Sequence, residues 1–272
     1  VEVVCDRVRS VEMPVLLLIY WYIMDIARVL FSGYDIIYKS STNNTILTID
    51  DVPYDSTSFE RILDVLRAHG CKSTFFVISS LVTDANRPSL IRAIKEGHHL
   101  GNHGDTNWMH ALYTREQLHA ELEACSTVLK ALYVEAGVPY PSVSYYRPGC
   151  GVVNAVIDEY CRDERHQYRI VLGSCYPSDP KVRWESANCH YVLSHLSPDG
   201  GDIIILHDRA WTPGMLDTLL PLISKTVSLM GLDMATDHQQ DCQPDGFRYG
   251  YTYVFARRLC VWKGISDLFY QK

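Results

Sequence analysis

Short apolar runs that alternate with helix-period segments are the strongest constraint on this chain. Residues 45–49 read as a buried strand, and Phe59, Ile62, Leu63 and Leu66 then fall on one helical face that Gly70 ends. Residues 72–78 read as a second strand, dense in β-branched and aromatic side chains. Leu90, Ile91 and Ile94 predict a short helix stopped at Gly97. Thr114 and Gln117 make a capping box for a long helix carrying Leu118, Leu122, Cys125, Leu129 and Leu132, which Gly137 and Pro139 close. Further strands are expected at 143–146, 168–172 and 203–206, with helices around 152–161, 187–196 and 215–230. This alternation predicts an α/β fold with parallel strands and helices outside. Periodicity alone leaves a closed barrel and an open doubly wound sheet both open. Residues 231–236 are a candidate last strand, and 237–246 is polar and loop-like.

In parallel α/β folds, functional side chains gather at the carboxyl ends of the strands. Here the first strand runs into Asp50-Asp51, and the polar segment His98-His99-Leu100-Gly101-Asn102-His103 leads to Asp105, Asn107 and His110. The strand at 143–146 delivers Arg147-Pro148-Gly149-Cys150-Gly151, the one at 168–172 precedes Ser174 and Asp179, and the one at 203–206 delivers His207-Asp208-Arg209. Each alone reads as a cap or a turn. Together, carboxylate and imidazole suit a divalent ion such as Zn²⁺. A further Asp and His would serve as general base and general acid in metal-assisted hydrolysis. The outlying His69, His98, His119, His166, His190, His195 and His238 are expected to be surface or helix-face residues, and Asp208 to brace the last loop.

Composition narrows the classes. Apolar residues are 47% of 272 and charged residues 21%, enough for a full core without disulfide staples. Lys and Arg number 25 against 32 Asp and Glu, a charge of −7 that argues against nucleic-acid binding. The nine cysteines include no CxxC pair, and they are expected to be mostly buried free thiols, with one or two disulfides left open for a secreted chain. Near the start, Arg7 and Arg9 precede an uncharged run from Met13 to Met24. A spanning helix needs about 20 apolar residues, and Asp25 and Arg28 interrupt this run. A signal-anchor remnant, an interfacial helix and a cover for the barrel bottom all stay open, and with them membrane contact through residues 1–33. The sequon Asn43-Asn44-Thr45 hints at a secretory route.

Thr48-Ile49-Asp50-Asp51-Val52-Pro53 resembles the T-F-D-D-G-P motif of the polysaccharide deacetylases, the NodB-homology or carbohydrate esterase family 4 enzymes. Gly101-Asn102-His103 resembles their second motif, Arg147-Pro148-Gly149-Cys150-Gly151 the third, and Ile205-Leu206-His207-Asp208 the fifth. Residues 71–78 and 172–179, with Trp211-Thr212, look like the chitin-deacetylase-like branch. The likeness runs from Tyr34 to Thr236, which assigns 34–236 to one barrel, 1–33 to an apolar arm and 237–272 to a tail of unknown role. The resemblance implies a distorted (β/α) barrel with fewer than eight strand–helix units. It also implies removal of N-acetyl groups from an N-acetylglucosamine polymer of chitin or peptidoglycan type, outside the cell or at its surface. By motif position Asp50 is the base, His207 the acid, Arg147 the partner of Asp50, and Asp179 the carboxylate that orients His207. Asp51 and His103 ligate a divalent ion, Zn²⁺ first and Co²⁺ among the alternatives, and Asn107 holds the place of the third ligand. The Cys150 N–H serves the oxyanion, Ile205 lines the acetyl pocket, and Trp211 or Trp184 supplies a pocket wall.

Four positions depart from the family pattern. Asn107 replaces the second His of H-x-x-x-H, and Asp105, His110 or water are the candidate substitutes. Pro180 follows Asp179 where the family has Trp, Val52 replaces Gly, and Cys150 replaces Tyr. Two alternatives therefore stand beside the amidase: a catalytically weak or silent carbohydrate-binding relative, and an esterase for O-acetylated polysaccharide. The oligomeric state is not legible from these motifs.

Overall fold

The structure, a computed structural model, describes residues 34–163, 165–223 and 229–232. The apolar arm at 1–33 and the tail at 237–272 lie outside the described residues, as do Cys5, Cys242, Cys260 and His238.

Eight strands and six α-helices alternate along the described chain. The strands are β1 (Ile36–Ile37), β2 (Thr45–Val52), β3 (Thr74–Val77), β4 (His99–Asn102), β5 (Ser144–Tyr146), β6 (Tyr168–Val171), β7 (Ile203–His207) and β8 (Leu229–Met230). The helices are α1 (Ser56–Ala68), α2 (Arg87–Lys95), α3 (Arg115–Ala136), α4 (Ala155–Arg162), α5 (Glu185–His195) and α6 (Thr212–Ile223). The strands form one parallel sheet in the order β1-β6-β5-β4-β3-β2-β7, with β8 also paired to β2. The sheet curls, and the segment after β6 crosses the seam. Cys175 N–H donates to Ile203 O (3.1 Å), and Ile205 N–H donates to Cys175 O (2.9 Å). This is a distorted (β/α) barrel with fewer than eight strand–helix units.

Two-residue periodicity decides what enters the barrel. On β2, Leu47 and Ile49 pack outward with Phe59 and Ile62 of α1, while Ile46 packs inward with Phe76, Tyr145, Val171 and Ile203. Thr48 and Asp50 follow Ile46 on the inward face. On β7, Ile204 and Leu206 join the outer core and Ile203 the inner one, so Ile205 and His207 look inward. The register pairs Asp50 with His207, which sets both at the same barrel end.

Helix ends follow their sequence signals. Asp55 caps α1 by accepting from Thr57 and Ser58 N–H, and the Thr114–Gln117 box opens α3, which Gly137 closes in the left-handed region. The polar segment at 98–103, to which the sequence assigned no strand, contains β4. Both faces of a central parallel strand are buried, and its polar groups are satisfied within: Asn102 Nδ2 donates to Leu122 O (2.9 Å). Gly101 leaves room for Phe76, whose ring carbon would lie 2.7 Å from a Cβ at that position. The helix read over 215–230 is shorter, because Leu229–Met230 forms β8 against Thr45 and Ile46. Of the candidate strand at 231–236, only residues 231 and 232 are described.

Cys71, Cys125, Cys161, Cys175 and Cys189 are buried free thiols and Cys150 is an exposed one. Burial pushes the Cys125 and Cys189 thiols up to about 12, which keeps them protonated small hydrophobes.

Candidate active site

Asp50 reaches the barrel interior by strand alternation, but Asp51 should then point outward. It does not: its φ is +62° and the β2–β3 register shifts between Ile49 and Val52, which turns a second carboxylate into the same mouth. Cys150 and Ser178, beside Arg147 and Asp179, also take φ of +62°. Sparsely populated backbone of this kind collects at functional sites.

Arg147 is buried and fully engaged. Its Nη1 donates to Asp50 Oδ1 (2.5 Å) and Thr48 Oγ1 (2.8 Å), Nε to Val171 O (3.0 Å) and Nη2 to Leu172 O (3.1 Å). The guanidinium lies 4.1 Å from the centre of the Phe76 ring. His207 Nδ1 meets Asp179 Oδ1 at 2.9 Å, and Asp179 Oδ2 accepts the His207 N–H at 2.9 Å, so one carboxylate fixes both ring and backbone. Burial would lower the His207 pKa, but Asp179, Asp50 and Asp51 raise it above its ordinary value.

His103 Nδ1 pairs with Arg147 O (2.6 Å), which leaves Nε2 facing Asp51 Oδ1 at 3.5 Å and Asp50 Oδ2 at 4.0 Å. Asn107 Nδ2 donates to Asp51 Oδ1 at 3.2 Å. Burial pushes the Asp51 carboxyl up, but the His103 bond and the charges of His207, His103 and Arg209 hold it well below the carboxylate range. For His103, burial lowers the pKa, and Asp51 and Asp50 raise it further than burial lowers it.

These residues fit a divalent ion. Asp51 Oδ1 and Nε2 of His103 converge from β2 and the end of β4, and Asn107, with its amide turned over, presents a neutral oxygen to the same point. Asp105 and His110 do not substitute for it. Asp105 Oδ1 accepts from Ser79 Oγ at 2.5 Å. His110 is stacked on Tyr113 and Tyr146, is bonded to the Tyr146 hydroxyl at 2.7 Å, and is pushed by burial down to about 4. His98 is likewise interior rather than on the surface: its Nδ1 accepts from Ser73 N–H, and burial takes it down to about 4.

The contacts of two residues were not foreseen. Arg209 Nη2 sits 2.5 Å from Asp51 Oδ2, with its guanidinium over the Tyr54 ring at 4.1 Å. Thr48 Oγ1 donates to Ile204 O (2.7 Å) and accepts from Arg147, which couples β2 to the site. Arg209 follows His207-Asp208 at a strand end, so the carboxyl-end rule contained its signal. Asp208 braces the β2–α1 loop by accepting from Tyr54 N–H (2.8 Å) and Asp55 N–H (3.3 Å) and from the Ser58 hydroxyl.

Around the mouth, Ile205 is buried on β7 and Cys150 is exposed after β5. The Trp211 indole N–H is buried without a partner, and Arg183 packs on the ring at 5.4 Å. Tyr54, Trp108 and Trp184, each on a loop that follows a strand's carboxyl end, are exposed.

The family model for polysaccharide deacetylases matches residues 38–168. A peptidoglycan-N-acetylglucosamine deacetylase of Bacillus cereus is 30% identical over 187 residues, which are 66% of this chain and 81% of the relative. A solved peptidoglycan N-acetylglucosamine deacetylase superposes with a TM-score of 0.65 at 22% identity, over 74% of this chain and 92% of that one. A carbohydrate esterase family 4 pseudoenzyme from Bacillus anthracis superposes with a TM-score of 0.64 at 18% identity, over 76% and 70%. Sequence likeness at that level to a relative covered over most of its length places this chain in the polysaccharide deacetylase family, carbohydrate esterase family 4.

Proposed function

We propose that the chain hydrolyses N-acetyl groups on an N-acetylglucosamine polymer, with Asp50 as general base and His207 as general acid. The observation that carries this reading is the pairing of two proton-transfer groups on adjacent strands. Asp50 is register-paired with His207, yet each is held by its own partner, Arg147 and Asp179. Arg147 holds Asp50 Oδ1 by a direct hydrogen bond and so aims the carboxylate that accepts a proton from an attacking water. Asp179 keeps His207 protonated and presents Nε2 to the leaving amine. The Cys150 N–H and the Trp211 indole are the donors for the developing oxyanion and the substrate, and Ile205 walls the acetyl group.

Asp51, His103 and Asn107 would hold the divalent ion of this family, Zn²⁺ by donor chemistry. Its contribution would be to polarise the acetamide carbonyl and to lower the pKa of the attacking water. Exposed Tyr54, Trp108 and Trp184 offer apolar faces on which sugar rings stack. The names of the relatives favour a cell-wall polymer of peptidoglycan type over chitin, and so work outside the cell or on its surface.

Acetate release from peptidoglycan fragments, chitin oligomers and acetylxylan tests the substrate. Faster release from either N-acetylated polymer is expected, and turnover on acetylxylan alone would replace the amidase with an esterase. A second reading rests on Arg209 and Asn107: both satisfy Asp51 without metal, which suits a carbohydrate-binding relative of low turnover. Stoichiometric zinc together with turnover eliminates it.

A further inference from the structure

The described residues place one trio of metal-ligating side chains away from the mouth of the barrel. His119 and Glu123 are one turn apart on α3 and therefore share a face. His166 arrives from the turn between α4 and β6. One ligand atom from each lies within 4.8 Å of the other two. We propose that His119, Glu123 and His166 form a second divalent-metal site, distinct from Asp51 and His103, that takes Zn²⁺ or a similar late first-row ion.

Tyr160 of α4 orients both imidazoles. Its hydroxyl lies 2.8 Å from His119 Nδ1, and its ring stacks on His166 with centroids 4.1 Å apart and planes 15° from parallel. A hydrogen bond on one ring nitrogen leaves the other as the ligand, the arrangement that metal-binding histidines use. His119 Nε2 is the nitrogen left over. The local cations do not compete for Glu123, because Arg115 and Arg165 are both spent on Asp163, at 3.2 Å and 2.6 Å.

Two imidazoles and a carboxylate are a borderline-soft donor set that suits zinc and leaves a fourth position for water. Ligand atoms around one such ion stand roughly 3–3.5 Å apart. An exposed His119 and a half-buried Glu123 are the side chains that would close that difference. The ion would tie α3 to the α4–β6 turn, which no covalent link joins. This proposal is independent of the deacetylase reading.

The test is zinc stoichiometry of the chelator-stripped full chain, read by titration and by thermal unfolding. His119→Ala combined with His166→Ala is expected to bind one equivalent less than the wild type and to lose its zinc-dependent rise in Tm. Tyr160→Phe is expected to weaken that equivalent about tenfold. In a chain carrying Asp51→Asn and His103→Ala, one equivalent should persist, and Co²⁺ absorption should show nitrogen ligation. Equal stoichiometry in wild type and the His119/His166 variant overturns the proposal, as does loss of all zinc in the Asp51/His103 variant with its circular dichroism intact. The outer-surface variants keep the test valid if the Asp51/His103 variant does not fold.

Discussion

Asp50 and Arg147 form a buried ion pair, and each half depends on the other. Removing one partner strands an uncompensated charge and costs about 3–5 kcal/mol. Arg147→Met should therefore lower unfolding stability by that amount in urea melts, with Asp50→Asn in the same chain recovering part of it. Arg209 presents the opposite case. It neutralises Asp51 from the oxygen facing away from His103, and this positive charge would oppose a divalent ion held by Asp51 and His103. Arg209→Met should raise Zn²⁺ affinity by at least about tenfold, measured by competition with a chromophoric chelator. Unchanged affinity would remove Arg209 from the account of the metal site. His207 carries the pH dependence. Its pKa is raised in the folded chain, so the protonated pair with Asp179 contributes stability fully below about pH 6.5. That contribution is lost as pH rises through the folded value. In the proposed role of general acid His207 would be active on the same side, so activity should fall on the alkaline limb. Asp179→Asn should move that limb to lower pH; an unmoved limb would take His207 out of the acid role.

Elements with strong local signals were legible in the sequence and elements defined by tertiary contact were not. The capping box of α3 lies where Thr114 and Gln117 place it. Thr114→Ala should cost about 1 kcal/mol of stability and leave turnover unchanged, which a melt beside an acetate assay checks. β4 was hidden because His99, Gly101 and Asn102 are polar or small, yet the strand is interior and its polar groups find partners in α3 and β5. β8 was hidden because an apolar run has no period to separate strand from helix. At the site, Asp50, Arg147 and His207 were legible as polar residues ending apolar runs, and His103 as the end of a polar segment. The inward turn of Asp51 was not, since it depends on one positive φ and a register shift. Neither was the Arg209 contact, which needs the β2 and β7 loops in three dimensions. His119 and His166 were read as surface or helix-face residues without a shared role, because 47 positions separate them and only the α3–α4 packing brings them to one tyrosine.

For the whole molecule, one parallel barrel brings the ends of β2, β4, β5 and β7 to a common mouth, and the β6–α5 segment adds Asp179 from the seam side. The fold supplies convergence, and in the proposed function the residues would supply the chemistry: one carboxylate to take a proton, one imidazole to give it, and a carboxylate–imidazole–amide set for an ion. Among the described residues, no helix is long and apolar enough to cross a membrane. The central claim is that Asp50 and His207 divide the proton transfers of amide hydrolysis. Its most direct test is acetate release from N-acetylglucosamine oligomers and peptidoglycan fragments by wild type and Asp50→Asn, with Zn²⁺ or Co²⁺ added. The account predicts release that needs the added ion and falls by at least about 100-fold in Asp50→Asn, with circular dichroism showing the variant folded at the assay temperature. Equal release by the variant, or none by the wild type with any divalent ion, would contradict it.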